Sequence, residues 1–187
     1  QQEPAGLGHA VWCARHLIGN EPVAVILADD LIEGSKTIGE MIQNYTTGNM
    51  LAVMEVDKAD VSSYGVITPG KILNNSNIEI LNLVEKPSKE TAPSNLAVVG
   101  RYILEPAIFD VLEKQKRGAS NEIQLTDAIA SRIGKSICTG YKFSEERFDC
   151  GSKLGFIQAN IKFSIQRKEM KNELTKWLKE EIMKSNF

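Results

Sequence analysis

The stretch PVAVILADD, residues 22–30, sets the expected fold of this 187-residue chain. Its first seven residues are apolar and do not alternate with polar ones, which is typical of a strand covered on both faces of a sheet. The run then ends in two carboxylates, Asp29 and Asp30. Ligands of α/β proteins bind beyond the carboxyl ends of such strands, so this pair is a candidate site.

The segments around this strand alternate between helix and strand patterns. Residues 9–19 have apolar side chains at helical spacing and stop at Gly19, and residues 37–48 indicate a short helix closed by a glycine. Residues 50–56 form a second apolar run of strand length. The order helix, strand, helix, strand predicts a largely parallel sheet.

Further strands are predicted in the middle of the chain. The segments concerned are rich in apolar and β-branched residues and are bounded by turn residues, with Pro87 and Pro93 as breaks. They are residues 62–67, 77–87, 95–104 and 137–143.

Helical patterns dominate the second half. Residues 105–115 and 121–133 have helical spacing, and Asn121 stands in an N-cap position. The carboxyl-terminal segment carries two apolar stripes at helical spacing. Because the sequence shows no repeat or clear linker, we predict one domain over residues 1–187, with a helical tail over residues 153–187.

Composition excludes several classes of protein. Hydrophobic residues make up 42% and charged residues 25%, with a formal net charge of −2, as in ordinary globular domains. No basic stripe suggests a nucleic-acid partner. The apolar runs are shorter than the ~20 residues that cross a bilayer, and no secretory signal is evident. Without a CxxC pair, the three cysteines indicate reduced thiols, and we predict a cytoplasmic protein without membrane association.

The acidic residues at strand ends have two interpretations. Carboxylates are natural ligands of Mg²⁺, which is commonly held by one or two of them together with substrate phosphates. Asp29 and Asp30 could equally shape a turn or cap the next element. Asp149, in RFDCGSKLGF (residues 147–156), is a second candidate, either as a metal ligand or as a helix N-cap.

The short motif VEKP, residues 84–87, ends a β-rich run. Neighbours on a strand point to opposite faces unless the strand end is distorted, and the following Pro87 favours such a distortion. Glu85 could then accept bonds from sugar hydroxyls while Lys86 faces a phosphate, which would suit a sugar phosphate. The alternative is a surface ion pair.

The stretch EPAGLGHAV, residues 3–11, places two glycines before a predicted helix. Glycines permit close approach of a ligand, and a helix N-terminus favours anions. Val11 nevertheless stands where the dinucleotide fingerprint has its third glycine, so a simple turn is preferred. His9 is expected to be structural, because no paired serine or cysteine nucleophile is evident.

Taken in order, these stretches resemble the bacterial UTP–glucose-1-phosphate uridylyltransferases, also called UDP-glucose pyrophosphorylases. The similarity covers nearly all of the chain. The matching segments are QQEPAGLGHAVWCAR, PVAVILADD, YGVI, VEKP, APSNLAVVGRYIL, EIQLTDAI and FDCGSKLGF. Family members begin with a strand and a glycine-rich loop that holds the triphosphate. Nothing in the sequence matches that loop, so we expect an amino-terminal portion to be missing.

The resemblance implies a fold and a reaction. The fold is a Rossmann-like three-layer α/β/α nucleotidyltransferase with a mixed, mostly parallel sheet and a C-terminal helical tail. The enzyme would join UTP and glucose 1-phosphate, giving UDP-glucose and pyrophosphate, with Mg²⁺ as cofactor. A homodimer or homotetramer would be the usual assembly.

The resemblance also implies a role for particular residues. A phosphate oxygen of glucose 1-phosphate attacks the α-phosphorus of UTP in line, so the protein must neutralise and align two anions. The residues carried over are Gln1 and Gly6 for uracil, Gly65, Glu85 and the Val98 backbone for glucose, Lys86 for phosphate, and Asp29 and Asp149 for the metal.

Two alternatives to this function stay open. If the chain truly starts at Gln1, it could be a non-catalytic fragment that binds sugar nucleotides or serves in assembly. The same chemistry with dTTP would instead make the protein a thymidylyltransferase, since base choice also depends on the loop that is not matched.

Overall fold

The computed structural model describes residues 1–34, 36–118 and 121–184. The chain divides into two compact units. The first comprises Gln1–Leu27 and Gly34–Ser144, and the second comprises Ala28–Glu33 and the chain from Glu145 onward.

The first unit is built on a mixed sheet. Its strands are β1 (Val23–Ile26), β3 (Asn49–Glu55), β4 (Gly65–Ile72), β5 (Asn77–Glu85), β6 (Leu96–Leu104) and β7 (Cys138–Lys142). Their spatial order in the described sheet is β1-β6-β3-β7-β5-β4, and β6 also pairs with β4.

The prediction of a mixed sheet is confirmed, but the prediction that it is mostly parallel is wrong for the described strands. β1 and β3 run in the same direction, as their helix-linked pattern predicted, yet β6 lies between them and pairs antiparallel with both. Among the described strands, only β3 and β7 form a parallel ladder. The remaining pairings are antiparallel. A local pattern gives a strand's direction and leaves open which distant strand inserts beside it.

Helices cover both faces of this sheet. They are α1 (Leu7–Cys13), α2 (Arg15–Ile18), α3 (Thr37–Asn44), α4 (Ile108–Lys114) and α5 (Leu125–Ala130), with a 3₁₀ turn at Val61–Ser63. Alternate residues of β3 point to opposite faces. Leu51 and Val53 pack in the apolar cluster that contains side chains of α1, α4 and α5, whereas Met50 and Ala52 pack with Met41 of α3. The three-layer α/β/α arrangement is therefore confirmed within this unit.

The predicted burial of the first strand is wrong. β1 alternates between half-buried and exposed residues, and Ile26 is 53% exposed. The reason is its position at the edge of the described sheet, where it pairs with β6 on one side. By contrast, the first five residues of β3 are all buried, as expected for a central strand.

One predicted helix start is also wrong. Asn121 has a φ of 59° and does not cap α5, whose N-cap is Gln124. The cause is a tertiary contact, because the Ile123 N–H donates to the Ala5 carbonyl oxygen at 2.8 Å. This bond holds the segment in an extended path beside the amino-terminal residues until α5 begins at Leu125.

The cysteines differ in their expected reactivity. Cys138 is 5% exposed, and burial together with the negative charge of Glu105 raises the pKa of its thiol to about 12. Cys13 is exposed. Because the thiolate is the reactive form, we expect iodoacetamide to alkylate Cys13 in the folded protein and to reach Cys138 only after denaturation. Peptide mass mapping measures this. Equal labelling of the two residues before denaturation would contradict the burial of Cys138.

The second unit contains a two-stranded ribbon and two helices. β2 (Asp30–Ile32) pairs antiparallel with β8 (Arg147–Asp149), and α6 (Lys153–Gln166) and α7 (Lys168–Lys184) follow. Phe148 of the ribbon meets Phe163 of α6 edge to face, with ring centroids 6.1 Å apart. Residues 185–187 of the predicted helical tail lie outside the described residues. None of the described helices is long and apolar enough to span a bilayer.

Candidate functional site

Asp29 and Asp149 lie beside each other in the second unit. The ribbon sets Asp30 opposite Asp149, and the Cys150 N–H donates to the Asp29 carbonyl oxygen at 2.7 Å. A Cβ atom added to Gly151 would lie 3.1 Å from Asp149 Oδ1 and 3.5 Å from Asp29 Oδ2. The two carboxylates therefore converge on one small space above Gly151.

The start of α6 fixes the position of Asp149. The Gly151 N–H donates to Asp149 Oδ1 at 3.0 Å, and the Ser152 hydroxyl donates to the Asp149 carbonyl oxygen at 3.0 Å. Ser152 is the N-cap of α6, because its Oγ accepts the Gly155 N–H at 3.0 Å. The sequence left Asp149 as a possible N-cap of this helix, but the N-cap is Ser152. The Asp149 carboxylate stays exposed beside Asp29.

The adjacent aspartates at the end of the first apolar run have different surroundings. Asp29 is exposed, whereas the side chain of Asp30 is 6% exposed. Arg147 donates from Nε and Nη2 to Asp30 Oδ2, at 2.9 and 2.8 Å. Asp30 therefore lies in a strand and neither shapes a turn nor caps a helix, and its side chain joins the two strands of the ribbon through Arg147. Asp29 lies beside the space shared with Asp149.

The donor set of this space fits Mg²⁺. Magnesium prefers oxygen ligands and commonly uses one or two carboxylates, with waters and substrate phosphates completing its shell. Within the described residues, no three or more His, Cys, Asp or Glu side chains are grouped as a metal site. Asp29 and Asp149 would therefore hold an ion jointly with oxygens that the protein does not supply.

A second group of predicted site residues lies in the first unit, at the end of β5. Lys86 has a φ of 45°, and its N–H donates to the Tyr64 carbonyl oxygen at 3.0 Å. This is the strand-end distortion that Pro87 led us to predict. It brings Lys86 Nζ to 3.9 Å from Glu85 Oε1, although neighbours on a regular strand would point apart.

The three predicted glucose residues come together at this strand end. Gly65 is the register partner of Glu85, and a Cβ added to Gly65 would lie 3.3 Å from Glu85 Oε2. β4 meets β6 where Val66 pairs with Ala97. Gly65 and Val98 are the chain neighbours of these two paired residues.

Thr126 is a further member of this group that its sequence pattern did not predict. Its Oγ1 and Cγ2 lie 3.4 and 3.2 Å from the position of a Cβ on Gly65. Thr126 belongs to α5, which packs against β5. The stretch EIQLTDAI contains this residue, but its helical pattern gives no indication that one hydroxyl turns toward a strand sixty residues earlier.

The two residues predicted to read uracil are also neighbours in the first unit. Gln1 Nε2 donates to the Gly6 carbonyl oxygen at 3.0 Å and lies 3.1 Å from His9 Nδ1. Gly6 has a φ of 98°, and a Cβ on it would lie 2.8 Å from the Ile123 carbonyl oxygen. Gly8 donates to that same oxygen at 2.8 Å. Close packing on Ile123 thus explains why this loop contains glycines.

Comparison with protein families and curated proteins gives consistent matches. The model of a family described as nucleotidyl transferase matches residues 1–164. UTP–glucose-1-phosphate uridylyltransferase 1 of Staphylococcus saprophyticus is 43% identical over 182 residues, which are 96% of this chain and 63% of the relative. The uridylyltransferase of Staphylococcus haemolyticus is 45% identical over 183 residues, with the same coverage.

Solved structures of similarly named proteins also match this chain. A UDP-glucose pyrophosphorylase complexed with UDP-glucose superposes with a TM-score of 0.84 and 44% identity, covering 89% of this chain and 65% of that one. UTP-bound UGPase from Acinetobacter baumannii gives a TM-score of 0.80 at 33% identity, over 94% and 62%. The chain therefore spans slightly less than two thirds of the length of these relatives.

Proposed function

This chain belongs to the nucleotidyl transferase family, and we propose that it takes part in uridylyl transfer from UTP to glucose 1-phosphate, giving UDP-glucose and pyrophosphate. The resemblance drawn from seven sequence stretches is confirmed by the curated relatives and solved structures that bear the same family name. The relatives crystallised with UDP-glucose and with UTP support the choice of substrates.

The observation that carries the sugar half of the proposal is the environment of Glu85. Its side chain is 14% exposed, yet within the described residues it accepts no hydrogen bond and has only the 3.9 Å contact with Lys86. A carboxylate accepts several hydrogen bonds, and Glu85 Oε2 lies 3.3 Å from the position of a Cβ on Gly65, so it borders the space above that residue. Hydroxyl groups of a sugar would supply the donors that the protein does not.

The residues of this strand end would then have separate roles in binding the sugar and its phosphate. Glu85 accepts bonds from glucose hydroxyls and orients the ring, and Gly65 leaves room for the ring to approach. The Lys86 ammonium, 55% exposed, offsets the charge of the phosphate. Because a phosphate oxygen of the sugar is the nucleophile, no protein nucleophile is needed.

The nucleotide half of the proposal rests on the loop around Gly6 and on the acidic pair. Gln1 and Gly6 would bind the uracil edge through amide groups. Asp29 and Asp149 would hold Mg²⁺, which when bound neutralises and aligns phosphate oxygens. A single domain, a cytoplasmic location and a homodimer or homotetramer remain predictions from the sequence.

An enzymatic assay tests the proposed function. We expect the protein to release pyrophosphate when given UTP, glucose 1-phosphate and Mg²⁺ together, and to stop when the metal is chelated. dTTP in place of UTP should give a much lower rate. A faster reaction with dTTP would favour the thymidylyltransferase. The absence of turnover together with the absence of glucose 1-phosphate binding would overturn the proposal.

Gly65→Ala gives a sharper test of the sugar site. The new methyl group would fill the space between Glu85 and Thr126, with contacts of 3.2–3.4 Å that the protein can absorb by small shifts. We expect binding of glucose 1-phosphate, measured by calorimetry, to weaken at least about tenfold, which is about 1.4 kcal/mol. Unfolding free energy should change by less than about 1.5 kcal/mol.

Gly39→Ala is the matched control for this variant. Its Cβ meets nothing within 4 Å, so sugar binding should stay unchanged. If Gly65→Ala bound the sugar phosphate as tightly as the wild-type protein does, the sugar could not lie above Gly65.

A further inference from the structure

A cavity of about 440 Å³ lies between α4 and α5 in the first unit. This volume is within the range of roughly 300–1,000 Å³ that is usual for small-molecule sites. Within the described residues, the strand end that carries Glu85 does not contribute to the lining. The cavity is therefore separate from the proposed sugar site. Its polar lining residues are Lys114, Gln115, Lys116, Asp127, Ser131 and Lys135.

The lining of this cavity is positively charged. It contains three lysines and one aspartate, which leaves a formal charge of +2, although the whole chain has a formal charge of −2. Among the described residues, none of the three lysines forms an ion pair. All three ammonium groups are therefore available to a ligand. A cleft lined by one sign of charge raises the local concentration of ions of the opposite sign.

Two acceptors in the lining suit a ligand that also carries hydroxyl groups. Gln115 Nε2 donates to the Gln124 carbonyl oxygen at 2.9 Å, which sets the orientation of the amide. Gln115 Oε1 is buried and has no donor among the described residues, although buried amide oxygens are normally bonded. The Asp127 carboxylate is the second acceptor, and its Oδ2 lies 3.0 Å from the position of a Cβ on Gly118.

We propose that this cavity binds a small organic phosphate, with the phosphate group among the three lysine ammonium groups and a hydroxyl group donating to Gln115 Oε1. Lysine binds phosphate as a compact point charge. A bare anion would meet the Asp127 carboxylate, whereas a ligand hydroxyl can donate to it. The inference does not depend on the proposed function, because none of these residues takes part in it.

Acetylation of lysine amines, followed by peptide mass mapping, shows where the ligand binds. Glycerol 3-phosphate is a suitable probe because it combines a phosphate with two hydroxyl groups. At constant ionic strength, it should slow acetylation of Lys114, Lys116 and Lys135 at least about threefold once the site is mostly occupied. Lys171 of α7 is exposed and is the control, and its rate should stay unchanged.

A ³¹P nuclear magnetic resonance titration measures the affinity. All proteins carry Lys86→Ala, so that the phosphate site proposed at that residue does not contribute. Lys114→Gln/Lys135→Gln should weaken binding of glycerol 3-phosphate at least about tenfold. Lys58→Gln/Lys171→Gln removes the same charge from exposed positions elsewhere and should leave the affinity within about twofold. Inorganic phosphate should bind more weakly than glycerol 3-phosphate.

Three results would overturn the inference. Equal protection of Lys171 and the three cavity lysines, or equal affinity of the two double variants, would mean that the cavity attracts anions only as other surface lysines do. Inorganic phosphate binding as tightly as glycerol 3-phosphate would exclude the hydroxyl contact and with it an organic phosphate. None of these results affects the proposed uridylyl transfer, which the pyrophosphate release assay tests separately.

Discussion

The Gly155→Ala variant is expected to lose about 3 kcal/mol of unfolding free energy, at the upper end of the range for overpacked sites. The added Cβ would lie 2.1 Å from the carbonyl oxygen of Asp149 and 2.9 Å from Ser152 Oγ. No rotamer change can relieve a clash with backbone, so α6 must withdraw from β8. That movement would also break the bond from the Gly155 N–H to Ser152, which caps the helix.

Urea denaturation followed by circular dichroism measures this loss. Gly39→Ala is again the matched control, since Gly39 also lies inside a helix and its Cβ would meet nothing within 4 Å. There alanine should stabilise the protein by about 0.5–1 kcal/mol through its helix propensity. Equal effects of the two substitutions would mean that α6 does not rest on the Asp149 carbonyl group.

The Arg147→Ala variant is expected to lose about 3–5 kcal/mol, because it leaves the Asp30 carboxylate buried without its cation. The two side chains are 10% and 6% exposed, and the two hydrogen bonds between them join the strands of the ribbon. Loss of this pair should also disturb the placement of Asp29 and Asp149, which lie next to it in the same ribbon.

An exposed ion pair provides the comparison. Lys142 and Glu55 are 2.9 Å apart with side chains 44% and 61% exposed, so Lys142→Ala should destabilise the protein far less than Arg147→Ala. The double variant Asp30→Ala/Arg147→Ala should be less destabilised than the sum of its single variants, because neither charge is then left alone. Strict additivity would show that the two residues do not interact.

Local patterns in the sequence predicted most helices and strands and the direction of β1 and β3. They did not predict that β6 would insert between those strands. The neighbours of a strand depend on how the complete sheet buries its apolar side chains, which a local pattern does not show. Asn121 illustrates the same limit. Its position looked like an N-cap, but hydrogen bonding of Ile123 to Ala5 decided the local path.

The candidate site was predictable where a local rule or the family resemblance applied. Pro87 indicated the distorted strand end that brings Lys86 toward Glu85. The resemblance paired Asp29 with Asp149, and the β2–β8 ribbon brings them together. Thr126 was missed because its proximity to Gly65 depends on how α5 packs, which its own sequence does not encode.

Asp29 and Asp149 are proposed to bind one divalent ion together, and a metal-binding measurement checks this. Mn²⁺ suits the same oxygen ligands as Mg²⁺ and is followed by electron paramagnetic resonance. We predict that the wild-type protein binds Mn²⁺ in competition with Mg²⁺, and that Asp29→Asn and Asp149→Asn each weaken binding at least about tenfold. Asp57→Asn, at an exposed site of the first unit, should have no effect. Unchanged Mn²⁺ affinity in either site variant would mean that the two carboxylates do not share an ion.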